Sequence, residues 1–157
     1  MPFLFLWACS DKSNIILSEF IDFGSNGIIA EKIYFFEPFK NHTFADSCFQ
    51  GDLSLIIRYS DKCDIKTLPL YVEYMLSEQD TIDNKNLEIQ LFDEGGESKG
   101  TCTFSINEIE TPLFQNAKID DYFFVSIKTK IENAPGILAA GIIVKPSKNH
   151  TDETLFK

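Results

Sequence analysis

Polar and apolar side chains alternate along several stretches of this chain, and this alternation limits the fold more than any other feature of the sequence. Every second residue is apolar from Leu53 to Tyr59, and the same pattern runs from Leu68 to Leu76. Neighbouring side chains of a β-strand point to opposite faces of the sheet, so a period of two marks a strand with one buried face. The pattern therefore predicts a fold made of half-buried strands.

Eight segments are predicted as strands, namely residues 15–20, 28–36, 53–60, 68–77, 87–91, 101–106, 123–130 and 137–144. Clusters of Gly, Asn, Asp and Pro that are typical of turns separate many of them, at residues 24–27, 60–64, 93–96 and 133–136. The most helix-like window, Ser105 to Gln115, contains Pro112 and is expected to form one helical turn at most. About eight short strands with regular turns predict an all-β fold, an antiparallel β-sandwich of the jelly-roll or immunoglobulin-like kind.

The first residues of the chain are apolar and uncharged up to Leu6-Trp7-Ala8-Cys9, and a polar stretch follows. This run is too short to span a bilayer, which needs about 20 residues. Its last four residues resemble the lipobox of bacterial lipoproteins, in which a small residue precedes the lipidated cysteine. We therefore predict that residues 1–8 are the remnant of a signal peptide and that residues 9–14 are a lipidated tether that begins at Cys9. The alternative is that the apolar run is a buried first strand.

Length and composition indicate one folded domain, which is predicted to cover residues 15–145 and to be followed by a polar tail at 146–157. Hydrophobic residues make up 44% of the 157 residues, with 15 Phe and 5 Tyr, which is enough for a core. The chain has 14 basic and 24 acidic residues, and its net charge is -10. Nucleic acids and anionic membrane surfaces are therefore poor electrostatic partners.

No motif in the sequence predicts a catalytic site, a metal site or a cofactor, and we expect the chain not to be an enzyme. Besides Cys9 there are three cysteines, Cys48, Cys63 and Cys102, and no two of them form the Cys-x-x-Cys spacing of zinc and redox sites. We expect them to be small buried apolar residues. A single disulfide among them is the alternative, and it would leave one thiol free.

Function is expected on the turns, because the sheet interiors of a sandwich are occupied by packing. The candidate interaction residues are Asp93, Glu94, Gly95, Gly96, Glu97, Asn133, Pro135 and Gly136. Solvated turn charges contribute little to stability, so replacement of Asp93, Glu94 and Glu97 by Ala is expected to be tolerated. The alternative is a ligand-binding module in which the aromatic residues Tyr34, Phe36 and Tyr71 form a platform for a glycan.

The order of several segments after Cys9 carries a resemblance to a known family. These segments are residues 27–39, 52–59, 68–74, 80–81, 87–93, 99–100, 122–127, 135–137 and 141–144. Together they resemble the GldH family of gliding-motility lipoproteins of the Bacteroidota, over residues 9–145. The resemblance implies a non-enzymatic lipoprotein of the cell envelope, held in the outer membrane. Its partners would be other envelope proteins of the gliding-motility and type IX secretion machinery, and it supplies no catalytic residues.

Overall fold

The computed structural model describes residues 17–37, 49–79, 81–132 and 134–147. These residues form nine β-strands and contain no helix. The strands are β1 (Leu17–Asp22), β2 (Tyr34–Phe36), β3 (Phe49–Ser60), β4 (Thr67–Met75), β5 (Asp83–Gln90), β6 (Thr101–Thr103), β7 (Ile106–Ile119), β8 (Phe124–Lys128) and β9 (Ile137–Pro146). The predicted all-β antiparallel sandwich is confirmed, with nine strands where about eight were expected.

The strands form two sheets whose pairing is nested. One sheet has the order β1-β9-β3-β7-β6, and the other has the order β2-β8-β4-β5. All pairs are antiparallel, and β1 pairs with β9, β2 with β8, β3 with β7 and β4 with β5. A long antiparallel ribbon that is folded over on itself gives this nesting, which is the topology of a jelly roll. The short strand β6 extends the five-stranded sheet beyond β7.

The core lies between the inner faces of the two sheets. Leu53, Leu55, Ile57 and Tyr59 are the inner residues of β3, and all four are 0% exposed. The inner residues of the other sheet are equally buried, namely Leu68, Leu70, Val72, Val125 and Ile127. Burying one such side chain stabilises the fold by roughly 1.5–3 kcal/mol. The alternation in the sequence therefore marks the core-facing side of these strands correctly.

The outer face of the five-stranded sheet is covered by its own side chains. The Arg58 guanidinium lies 4.2 Å from the centre of the Phe20 ring and pairs with Glu108, whose Oε2 is 2.8 Å from Nε of Arg58. The Phe20 ring lies over Gly141, where a Cβ atom would come within 2.3 Å of the ring. Ile56 also points outwards but is only 3% exposed. This face is therefore not an open apolar surface.

Two of the predicted strands, at residues 28–36 and 101–106, are interrupted, and one strand was missed. Residues 28–36 contain only an isolated bridge at Ile28 and the strand β2, because Glu31 has a positive φ of 60° that breaks the strand. Residues 101–106 contain β6, a two-residue turn and the first residue of β7.

The window 105–115, which was expected to form one helical turn at most, contains no helix, and most of it belongs to the 14-residue strand β7, which was not predicted. Pro112 lacks a backbone N–H and is tolerated there because β7 pairs with β6 only over residues 106–108. Farther along, β7 has a neighbouring strand on one side only, and prolines in sheets occur at such edges.

Antiparallel pairing sorts the connections between two ends of the sandwich. The β1–β2, β3–β4, β5–β6, β6–β7 and β8–β9 connections lie together, which we call the loop end. The opposite end, the terminal end, is where β1 begins at Leu17 and β9 ends at Pro146. Pro146 was predicted to begin the tail, but it is still paired in the sheet with Gly51.

Candidate functional site

The predicted acidic turn is a closed, hydrogen-bonded loop at the loop end. The Asp93 amide donates to the carbonyl oxygen of Glu97 at 2.8 Å, and the Gly96 amide donates to the carbonyl of Asp93 at 3.1 Å. The Glu97 amide also donates to Oδ1 of Asp93, at 2.8 Å. Asp93 therefore braces the turn from within. Glu94, Gly95, Gly96 and Glu97 are exposed and form its outer surface.

Tyr59 fixes the two sides of this loop to the core. Its hydroxyl donates to the Leu91 carbonyl at 2.8 Å and accepts from the Gly100 amide at 3.0 Å. The same hydroxyl is 2.8 Å from Oγ of Ser98. The ring packs edge-on against Phe92, with the two ring centres 5.3 Å apart. The period of two predicts that Tyr59 is an inner residue of its strand, but it does not indicate this role, because the hydroxyl's partners are about 30 to 40 residues away in the sequence.

The second predicted turn, at 133–136, also lies at the loop end. The Ser60 amide donates to the Gly136 carbonyl at 2.8 Å, and Gly136 has a φ of 96°. A Cβ atom on Gly136 would lie 3.0 Å from Cα of Cys63, so this turn packs directly on the β3–β4 connection. Pro135 is exposed at the surface, whereas Asn133 is outside the described residues.

The β3–β4 connection joins the two predicted turns. Its residue Lys66 accepts hydrogen bonds at its carbonyl from the Leu91 amide at 2.8 Å and the Phe92 amide at 3.3 Å. The same connection packs against Gly136 through Cys63, as described above. The structure therefore brings the acidic turn and the Pro135–Gly136 turn to the same end of the molecule, on either side of residues 61–66.

Phe104 is the most exposed large hydrophobic residue of the described part of the chain, and no feature of the sequence indicates it. Phe104 is 91% exposed and forms, with Ser105, the two-residue turn between β6 and β7. Both residues have a positive φ, of 50° and 65°. Such hairpin turns favour Asn-Gly, and the left-handed conformation costs other residues about 1–2 kcal/mol each. Phe-Ser is not such a signal, and the sequence pattern therefore predicts a continuous strand over residues 101–106.

The aromatic platform that was considered for a glycan does not form from the predicted residues. Tyr34 is 7% exposed and Phe36 is 0% exposed, because both point into the core. Tyr71 does lie on the outer face, where its hydroxyl donates to Oε1 of Glu73 at 3.2 Å. The ammonium of Lys128 is 5.1 Å from the centre of the Tyr71 ring. Two of the three proposed stacking rings are therefore unavailable to a ligand.

The cysteines of the described residues are both free, and they differ in exposure. Cys63 is buried as expected, and burial raises the pKa of its thiol above the ordinary value. Cys102 is exposed on β6, so the expectation of a buried residue is wrong there. Cys9 and Cys48 lie outside the described residues.

The loop end contains a recess between the β1–β2 and β8–β9 connections. Asn26, Ile28, Ile29, Ala30 and Glu132 line a recess of about 330 Å³ that is open to solvent. Among residues 17–37, 49–79, 81–132 and 134–147, no group of three or more His, Cys, Asp or Glu side chains is arranged to hold a metal ion. Nor does that part of the chain form a helix long and apolar enough to cross a membrane.

These features define the class of the protein as a jelly-roll β-sandwich whose connections form a hydrogen-bonded surface at one end. Comparison of the chain with protein-family models, with curated proteins and with solved structures found no match.

Proposed function

We propose that this protein is a non-enzymatic lipoprotein of the bacterial cell envelope, anchored in the outer membrane through Cys9. It would act as a component or accessory of a gliding-motility or type IX secretion assembly, with other envelope proteins as partners. The lipobox-like sequence Leu6-Trp7-Ala8-Cys9 supports the anchor. The similarity of segment order to the GldH family supports the kind of assembly.

One geometric observation favours this function above others, namely the separation between the loop end and the start of β1. Leu17 is at the terminal end, so an anchor at Cys9 would attach that end to the membrane. The 12 residues of β3 run from one end to the other, over about 40 Å at about 3.3 Å per residue. The loop end would therefore face away from the membrane and be accessible to partner proteins.

The loop end is also suited to binding because its connections are held in place before a partner arrives. Tyr59, Lys66 and Gly136 tie three of the connections to one another and to β3. A surface that is already ordered loses less conformational entropy when it binds. The turn residues Glu94, Glu97 and Pro135 are exposed on this ordered surface.

The anchor is tested by the intact mass of the protein after detergent extraction from its own host. We expect the mature chain to begin at Cys9 and to carry the mass of several acyl chains, because stable anchoring needs two or more chains. The Cys9→Ser variant should lack this added mass and should leave the membrane fraction. A mature chain that retains Met1 and an unmodified Cys9 would contradict the proposal.

The interaction function is tested by purification of the tagged parent protein and of Cys9→Ser from envelope fractions, with mass spectrometry of the proteins that copurify. We expect components of one motility or secretion assembly with the parent and their depletion with the variant. Recovery of the parent with no envelope protein above the level of an untagged strain would contradict an assembly role.

A further inference from the structure

We propose that Asn26 is a site of spontaneous deamidation, and that the isoaspartate formed there loosens the contact between the β1–β2 connection and the Pro135–Gly136 turn. The reaction consumes water and requires no enzyme. It goes beyond the function proposed above and does not depend on it, because it follows from the Asn26-Gly27 sequence and from the packing around these two residues.

Asn26-Gly27 is the one place in the chain where glycine follows asparagine. Glycine has no side chain that could shield its amide nitrogen, so this nitrogen can approach the side chain of the preceding residue. Every other asparagine is followed by a larger residue, such as Lys85 after Asn84. Asparagine is one of the thermolabile residues of proteins. The sequence therefore indicates Asn26 as the asparagine that reacts first.

The structure places Asn26 in an exposed turn at residues 24–27. Its side chain is exposed and makes no hydrogen bond with another residue of the described chain. The Gly27 amide donates to the Gly24 carbonyl at 3.3 Å, which is longer than the usual distance of about 2.9–3.0 Å. Surface turns of this kind open locally at little cost in free energy. Opening of the turn therefore releases the Gly27 nitrogen for reaction with Asn26.

The reaction proceeds through a cyclic imide. The Gly27 nitrogen attacks Cγ of Asn26 and loses its proton, and Nδ2 of Asn26 leaves as ammonia. Water then opens the resulting succinimide ring at either of its carbonyl carbons. Opening at Cγ gives aspartate with the normal backbone, and opening at the backbone carbonyl carbon gives isoaspartate, whose backbone runs through Cβ and Cγ. Each product has gained water, lost ammonia and acquired a negative charge.

The isoaspartate matters because the backbone at Gly27 is closely packed. Gly27 has a φ of 70°, and a Cβ atom there would overlap the carbonyl oxygen of Ala134. The next residue, Ile28, forms an isolated β-bridge with Ala134, and both residues are buried. Isoaspartate lengthens the backbone directly before this contact. We therefore expect it to displace Ile28 from Ala134 and to loosen the Pro135–Gly136 turn that follows.

The change in charge should matter less than the change in backbone. Asn26 lines the recess at the loop end together with Glu132, so deamidation brings a second carboxylate to that recess. Both side chains are exposed, and repulsion between exposed charges is weak and is screened by salt. Closely packed backbone, in contrast, does not accommodate extra length without moving.

Peptide mass spectrometry of the folded full chain after incubation in mildly alkaline buffer tests the site. A synthetic peptide of residues 22–30 sets the time scale, and Asn84 and Asn86 in β5 are exposed internal controls. We expect aspartate and isoaspartate at Asn26, and unmodified control residues, by the time the peptide is fully converted. The Asn26→Gln variant keeps the amide but would need a larger ring, so it should remain unmodified. An unmodified Asn26 at that time would overturn the proposal.

The Asn26→Asp variant separates the effect of charge from that of the backbone. Freshly purified, it carries the new charge on a normal backbone, and we expect it to unfold at the same midpoint as the parent. The isoaspartyl fraction, isolated by chromatography, should unfold at a lower midpoint. It should also exchange the Ile137 amide hydrogen faster, because this amide donates to the Ala134 carbonyl at 3.2 Å. If the isoaspartyl fraction matches Asn26→Asp in both measurements, the loosening of the loop end is overturned.

Discussion

The Tyr59 ring is buried in the core, and its hydroxyl reaches the loop end, where it bonds to Leu91 and Gly100. One residue thus links the hydrophobic interior to the surface on which function is proposed. Gly100 has to be small, because a Cβ atom there would lie 2.6 Å from the carbonyl oxygen of Glu108. At the scale of single residues, the loop end is ordered by a few such contacts and not by the turn sequences alone.

Asp93 and Glu94 are neighbours in the acidic turn, but their replacement by Ala should have different effects. Asp93→Ala removes the acceptor of the Glu97 amide and should lower the free energy of unfolding by about 1 kcal/mol. Glu94 is exposed, so Glu94→Ala should change stability by less than about 0.5 kcal/mol. Urea unfolding of both variants provides the measurement. Equal effects would mean that the Asp93 bond does not hold the turn. The sequence predicts that replacement of Asp93, Glu94 and Glu97 by Ala is tolerated, whereas the hydrogen bond of Asp93 predicts a measurable loss of stability at that residue.

Glu19 should make the stability of the protein depend on pH. Its Oε2 accepts the Glu37 amide at 2.6 Å, between the edge strands of the two sheets. Burial raises the pKa of the Glu19 carboxyl, the hydrogen bond from Glu37 lowers it, and the charge of Glu37 raises it further. A carboxyl whose pKa is raised by folding stabilises the fold when protonated. This stability is present below the unfolded pKa and is lost as pH rises through the higher folded value.

Glu19→Gln keeps an acceptor for the Glu37 amide and removes the charge. We therefore expect this variant to be at least as stable as the parent at about pH 7, and we expect its free energy of unfolding to depend less on pH above the ordinary glutamate pKa of 4.5. Denaturant unfolding over this pH range makes the comparison. A variant that is less stable than the parent at about pH 7, where the parent carboxyl is ionised, would show that the ionised carboxylate itself holds the two strands together.

At the scale of the elements, the β6–β7 hairpin should be improved by a residue suited to its turn. Ser105 has a φ of 65°, and glycine adopts this conformation without a steric penalty. Ser105→Gly should therefore raise the free energy of unfolding by up to about 1 kcal/mol, while Phe104 remains in place. Thermal unfolding measures the gain, and Thr103→Gly in the paired strand should be destabilising. If Ser105→Gly is less stable than the parent, the turn is not strained.

For the whole molecule, the nested pairing makes β9 indispensable. β9 lies between β1 and β3, so it holds the first strand of the chain to the rest of the five-stranded sheet. Truncation after Gly136 should abolish folding, because it removes β9, the strand that pairs with both β1 and β3, and leaves β1 without a paired strand. Truncation after Ser147, which removes most of the predicted polar tail, should leave the circular dichroism spectrum of a β-protein. A folded product of the truncation after Gly136 would contradict this topology.

The sequence determined which stretches form strands and which of their faces are buried, wherever the period of two is regular. β4 was predicted well because buried and less buried residues alternate along most of it, and β3 was predicted well because its core-facing residues, every second one from Leu53 to Tyr59, are all apolar. β7 was missed, because the pairing of β3 and β7 shifts register near Leu53 and Pro112 interrupts the local pattern. The acidic turn and the Pro135–Gly136 turn, which were predicted to carry function, are turns in the structure. The turn at Phe104, in which two residues have a positive φ, has no sequence signature of its own.

Only the tertiary structure decided which strands are neighbours. Leu17 pairs with Val144, and their positions in the sequence are almost at opposite ends of the described chain. A local pattern fixes a strand's period but contains no information about its partner, which is chosen by the packing of the whole sandwich. The same packing brings the acidic turn, Gly136 and Phe104 to one end and places the start of β1 at the other. Individual residues can therefore be nominated from the sequence, but the surface they share exists only once the nested ribbon has folded.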